Sequence, residues 1–271
     1  MRAGISSAQL EARSLNTRAL ILTFSRREKG PDRIPIMSDV DLQNLCARGQ
    51  ELLMRTQYLD AERVLVQADE LATRLEDFDT LARLYMPLQE ARRQRRQIAG
   101  EGVVRLDLIA TSPDDKSIDA EAIVAMYPRG QLLVAGWESI EPALKIRQLQ
   151  RERNLYLDTF LAATYRKADG TQVVRVLPEA RASEAMSIEF AIDQLPRGER
   201  KGTWETYAEV MAIWERLHRP YLEAADAGVQ LERKIDGYRR AIEVDYACEL
   251  AHQKLSACAQ ALSRERQNAR R

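Results

Sequence analysis

Four guanidinium groups lie within five consecutive positions of this 271-residue chain, at Arg92, Arg93, Arg95 and Arg96. Guanidinium is a planar fork of donors that matches carboxylate or phosphate oxygens two at a time. At about 100° per residue the four side chains cover an arc of about 160°. Leu81, Leu84, Tyr85 and Leu88 share one helical face, and extending that phase brings Arg92 and Arg96 to the same side. Guanidinium groups are rarely buried without a partner. The cluster therefore calls for protein carboxylates or for an anion from solution. By chain order the nearest carboxylates are Asp107, Asp114 and Asp115. Two readings stand together: charge placed favourably at a helix end and paired with acidic loops, or an anionic ligand or acidic peptide held at a junction site.

Other chemistry-bearing residues give weaker patterns. Cys248 and His252 are four apart, a spacing that puts two metal ligands on one helix face. A closed site needs two more ligands, and neither His218 nor Cys46 stands at metal spacing, so no metal and no cofactor is expected. Ser139 in "GWESIEP" follows a strand and opens a helix, but Glu141 occupies the position where a hydrolase elbow needs glycine. It reads as a helix cap. Gly100-Glu101-Gly102 precedes a strand instead of joining strand to helix, which is the wrong context for a phosphate loop. Small ligands in open α/β sheets bind beyond the carboxyl ends of the strands. Those ends here present Thr111, Ser112, Asp114 and Asp115 after one strand, and Gly136, Trp137 and Ser139 after the next. No catalytic residue is assigned.

These residues need elements to position them. Leu42, Leu45, Gly49 and Leu52 recur at helical spacing, as do Ala61, Leu65, Ala68, Leu71 and Leu75. Breaks fall near Arg55–Gln57 and Glu76–Asp79, which predicts three antiparallel helices from residue 37, with Ser38 and Asp39 as caps. From Gly102 the period shifts towards two. Strands are expected at 103–109, 131–135, 155–165, 173–177 and 187–192. Helices are expected from Ser117 to Met126 and from about Ile140 to Asn154, with a hairpin turn at Asp169-Gly170. Residues 155–165 also fit a continued helix. Thr203 then caps a helix whose apolar stripe is Trp204, Tyr207, Ala208, Met211, Trp214 and Leu217, ended or kinked at Pro220.

The segment "LCARGQELLMRTQYLDAERVLVQA" resembles a tetratricopeptide repeat, whose helix–turn–helix places small residues where two helices touch. Gly49, Ala61 and Ala68 match the small positions, and Leu45 and Leu65 the bulky ones. Arg48 and Thr73 depart from the pattern, standing where Leu and Pro are usual. "IDGYRRAIEVDYACELAHQKLSACAQAL" resembles the same family through Tyr238, Ala241 and Leu255. The resemblance implies protein binding on a concave surface lined by the first helix of each hairpin, which puts Asn44, Arg48 and Glu51 in or beside it.

Composition limits the function classes. The 41 basic and 41 acidic residues cancel, which disfavours nucleic acid as a partner. The longest uncharged stretch, Leu255 to Ser263, has nine residues, too short to span a membrane. Three cysteines suit a reducing compartment such as the cytoplasm. The expected fold is α+β and mostly helical. A basic leader (1–36, seven basic and three acidic residues), disordered or outside the mature fold, precedes tetratricopeptide-like hairpins at 37–99. A small mixed α/β module follows at 100–195, and a second helical block at 200–271. The expected function is a scaffold binding a protein or peptide partner. The alternative is an enzyme or small-molecule sensor with its site at the strand ends.

Overall fold

A computed structural model describes residues 37–115, 118–179 and 186–269. The expected leader at 1–36 and the expected cap Ser117 lie outside the described residues. The fold is α+β. Eight helices and six strands follow in the order α1 (Met37–Met54), α2 (Tyr58–Arg74), α3 (Phe78–Gly100), β1 (Val103–Ile109), α4 (Ala120–Met126), β2 (Arg129–Trp137), α5 (Glu141–Glu152), β3 (Tyr156–Arg166), β4 (Gln172–Leu177), β5 (Ile188–Ala191), β6 (Arg200–Lys201), α6 (Trp204–Asp226), α7 (Leu231–Val244) and α8 (Glu249–Asn268). No described helix is long and apolar enough to cross a membrane. Among the described residues the chain divides into two compact units, one of 37–91 with 252–269 and the other Arg92–Ala251. The divisions fall inside α3 and α8, so each of these helices contributes to both.

In the first unit α1 packs on α2. Leu42, Cys46 and Leu52 of α1 are buried, as are Ala61, Leu65, Ala68 and Ala72 of α2. Cys46 takes the inward place expected of Leu45, which is only half-buried. Ser38 and Asp39 lie within α1 instead of ahead of it. A Cβ added at Gly49 would stand 2.5 Å from the Leu65 side chain, so a larger residue there would displace Leu65. Thr56 (φ 58°) and Glu76 (φ 50°) close the first two helices in left-handed conformations, at the expected breaks. Leu255, Ala259 and Leu262 of α8 are buried. Ser256 Oγ donates to the Ala82 carbonyl at 2.5 Å, and Arg266 pairs with Glu76 at 2.5 Å.

The second unit is built on one six-stranded sheet, ordered β5-β4-β3-β2-β1-β6. β1, β2 and β3 are parallel neighbours, and β4, β5 and β6 join antiparallel. The central strands are buried on both faces, which explains their long apolar runs, broken by Gln131 in β2 and by Asp158, Thr159 and Thr164 in β3. On one face Leu132, Val134, Leu157 and Leu161 pack with Ile123, Val124, Ala143, Ile146 and Leu149 of α4 and α5. On the other, Leu133, Ala135, Phe160 and Ala162 pack with Val210, Ile213, Trp214 and Leu217 of α6. The segment expected at 155–165 is strand, at Tyr156–Arg166, not helix; Asn154 (φ 55°) ends α5 before it and Gly170 (φ 85°) turns the hairpin after it. Asp119 caps α4, accepting from Glu121 N and Ala122 N.

One expectation about α6 is corrected, and of the two outcomes expected at Pro220, an end or a kink, the end does not occur. Trp204 and Ala208 do not join the buried stripe: Trp204 is 75% exposed, and Val210, Ile213, Trp214 and Leu217 face the sheet. The helix also runs on through Pro220 to Asp226. Leu222 and Ala225 beyond the proline are buried, and that packing offsets the hydrogen bond lost at the ring nitrogen.

Candidate functional site

Arg96 is the centre of a buried polar cluster in the second unit. The helical phase of α3 turns it inward, and it is 3% exposed. Its Nε donates to Asp158 at 3.1 Å and its Nη1 to Asp245 at 2.5 Å. Asp158 comes from β3, on the sheet face that also carries Phe160 and Ala162. Asp245 ends α7 as its C-cap. The guanidinium lies 4.7 Å over the Trp214 ring and 4.6 Å from the Tyr246 ring centre, and Trp214 stacks on Phe160 at 4.3 Å. Aromatic faces on one side and carboxylates on the other suit a planar cation.

The second oxygen of Asp245 continues the network. Asp245 Oδ1 accepts from Arg96 and from Ala247 N at 3.1 Å, while Oδ2 lies 2.7 Å from His218 Nδ1. Cys248 is buried beside them, and its thiol, an Asp245 oxygen and a His218 nitrogen all lie within 4.8 Å of one another. Burial opposes the Arg96 charge, but Asp245 and Asp158 overcome it and raise its pKa well above the usual value. Burial likewise opposes the His218 charge, yet the Asp245 carboxylate and the Cys248 thiol lift it to about 9. Burial raises Asp245, and Arg96 and His218 together bring it below the ordinary aspartate range. Arg147, whose Nε donates to the Thr159 carbonyl at 2.7 Å, is lowered to about 10 by burial, with Asp158 raising it and Arg95 lowering it. Gln131, fully buried and in register with Asp158, has neither amide atom bonded to a described residue.

Arg95 shares the Tyr246 ring with Arg96. Arg92, Arg93 and Arg95 are half-buried, and Arg95 stacks over Tyr246 at 4.2 Å. The carboxylates expected from chain order are engaged elsewhere or exposed. Asp107 binds Arg105 at 2.5 Å and Gly198 N at 2.7 Å. Asp115 accepts from Thr111 N at 3.0 Å, and Asp114 is exposed. The true partners stand 62 and 149 positions from Arg96. The one signal available in sequence was Asp158 itself, a carboxylate inside the apolar run "YLDTFLAATY".

His218 also differs from expectation, because the fold brings it to Cys248. His252 is instead fully buried in the first unit, edge-on to Tyr85 at 6.4 Å.

The strand-end residues serve their own loops. Asp115 holds Thr111, Gln172 donates to the Thr111 carbonyl at 2.7 Å, and Ser112 O accepts from Asp115 N. Ser139 Oγ accepts from Glu141 N at 3.2 Å, and Gly136 bridges to Ser139. Arg166 stands 5.6 Å over Trp137. Between them Glu138 is held at φ 48°. Two surface depressions lie elsewhere, one of about 350 Å³ bordered by Glu101, Arg129, Arg200 and Lys201, and one of about 280 Å³ bordered by Leu106, Phe190 and Arg216.

On α1, Asn44 is exposed, and Glu51 pairs with Arg48 at 2.9 Å and Arg55 at 2.6 Å. No family model, curated protein or solved structure matches the chain.

Proposed function

We propose that this chain is a protein-interaction scaffold whose first unit docks a helical segment of a partner protein along the outward face of α1. One observation carries the reading. Val40, Ala47 and Met54 are exposed and recur every seven residues, with Val40 at 46% and Met54 at 58% exposure. Apolar residues at i and i+7 lie on one face of a helix and can serve as anchors for a partner helix. Asn44 and the Arg48–Glu51–Arg55 pairs border it with polar groups that set register and exclude wrong partners. Gly49, Ala61 and Ala68 at the α1–α2 contact support a tetratricopeptide-like hairpin, in which this is the binding helix. That Cys46, Cys248 and Cys258 form no disulfide among the described residues supports a reducing compartment such as the cytoplasm.

The alternative, a small-molecule site at the strand ends, has less support. β1, β2 and β3 are consecutive neighbours, and both crossover helices pack on one face. The strand order therefore never reverses there, and reversal is what opens a ligand crevice in such sheets.

A photo-crosslinking residue placed at Ala47, and separately at Ala208 on α6, tests the proposal in cells. One adduct of defined mass from Ala47, absent from Ala208 and lost when Val40 and Met54 are both changed to Asp, is expected. No adduct from Ala47, or one unaffected by those changes, overturns it.

A further inference from the structure

We propose that His218, Asp245 and Cys248 form a binding site for one zinc-type divalent cation. The three residues supply an imidazole nitrogen, a carboxylate oxygen and a sulfur, the donor set that borderline-soft cations select over calcium or magnesium. Two elements and a turn bring them together: His218 from the middle of α6, Asp245 from the end of α7, and Cys248 one residue ahead of α8. The last two are joined by a turn in which Cys248 N donates to the Asp245 carbonyl at 2.9 Å. A tetrahedral zinc ion with bonds of about 2.0–2.3 Å holds its ligand atoms about 3.3–3.6 Å apart. The atoms here lie within 4.8 Å of one another, so small side-chain rotations close the site. The 2.7 Å contact between His218 Nδ1 and Asp245 Oδ2 must widen by about 0.6 Å to admit the ion.

The surroundings fit a metal ligand shell. Asp245 Oδ1 is fixed by Arg96 and by Ala247 N, which leaves Oδ2 as the oxygen presented to the ion. Ligating carboxylates are held in this way by outer hydrogen bonds. Arg96 is itself balanced by Asp158. The His218 side chain is 14% exposed, so the imidazole touches solvent, from which a water would come as the fourth ligand. This is the open arrangement of three protein ligands plus water.

The test uses the full chain and cobalt(II), then zinc(II), as the probes. Expected are one cobalt per chain, a thiolate-to-cobalt charge-transfer band in the near ultraviolet, and loss of that band when zinc is added. Cys248→Ser abolishes the band, and His218→Asn weakens binding at least tenfold, each variant being checked for a wild-type circular dichroism spectrum. Cys46→Ser and Cys258→Ser leave both unchanged. Absence of binding to the folded wild-type chain overturns the proposal, as does a band that survives Cys248→Ser. If either variant fails to fold, the wild-type stoichiometry and the Cys46 and Cys258 variants still decide the matter.

Discussion

Arg96 and Asp245 stand 149 positions apart in the chain and meet through a 2.5 Å hydrogen bond with both side chains buried. That bond joins the end of the third helix to the end of the seventh, and Asp158 adds the central strand to the same guanidinium. A buried cation with two carboxylates and two aromatic faces fixes the mutual placement of three elements. Breaking one partner strands the others in a medium that cannot solvate them.

Arg96→Met should therefore destabilise the chain by about 3–5 kcal/mol, seen as a lowered urea midpoint. Pairing it with Asp158→Asn should recover part of the loss. A midpoint equal to wild type in the single variant would mean that the network adds nothing to stability.

Gln131 makes the opposite case. Its amide is fully buried without a bond to a described residue, and an unsatisfied buried polar group costs about 1–3 kcal/mol. Gln131→Met keeps the length and removes the polar atoms, so the melting temperature should rise. A fall would show that the amide has a partner in solution.

Burial pushes the Cys46 thiol from 9.0 up to about 11, with Arg83 lowering it and Asp77 raising it. The folded chain keeps this proton where the unfolded chain loses it. The resulting stability is present below pH 9 and is lost as pH rises towards 11, at up to about 1.4 kcal/mol per pH unit. Denaturation at several pH values should show this slope flattening in Cys46→Ala.

Gly237 meets Ala225 where α7 crosses α6, and an added Cβ would lie 2.6 Å from the Ala225 Cβ and 3.0 Å from its Cα. Backbone cannot move aside as a side-chain tip can. Gly237→Ala gains about 1 kcal/mol of helix propensity and loses about 1–3 to overpacking. The net effect should be a modest loss, measured by guanidinium denaturation; an increase would mean that α7 slides freely.

Glu138 holds a left-handed conformation at the end of β2, which costs a residue with a side chain about 1–2 kcal/mol. Glu138→Gly should be neutral or stabilising by up to about 1 kcal/mol, because strain relief offsets the added freedom of the unfolded chain. A clear loss in thermal unfolding would reveal that the Glu138 side chain itself holds the loop.

What the sequence by itself determined is local. The helical periods, the left-handed Asn154, the Asp169-Gly170 turn, the Thr203 cap and the small residues at positions 49, 61 and 68 are each set by interactions within a few residues or by the face a period exposes. The inward turn of Arg96 was also legible, because helical phase is a property of the segment alone. Only the tertiary structure decided what Arg96 meets. Chain order points to Asp107, Asp114 and Asp115, yet ion pairs depend on distance in space, and the sheet carries Asp158 to the guanidinium while α7 carries Asp245. The same holds for His218 beside Cys248, for Trp204 left in solvent, and for α6 continuing through Pro220. At Pro220 long-range packing outweighs a local preference worth only a few kcal/mol.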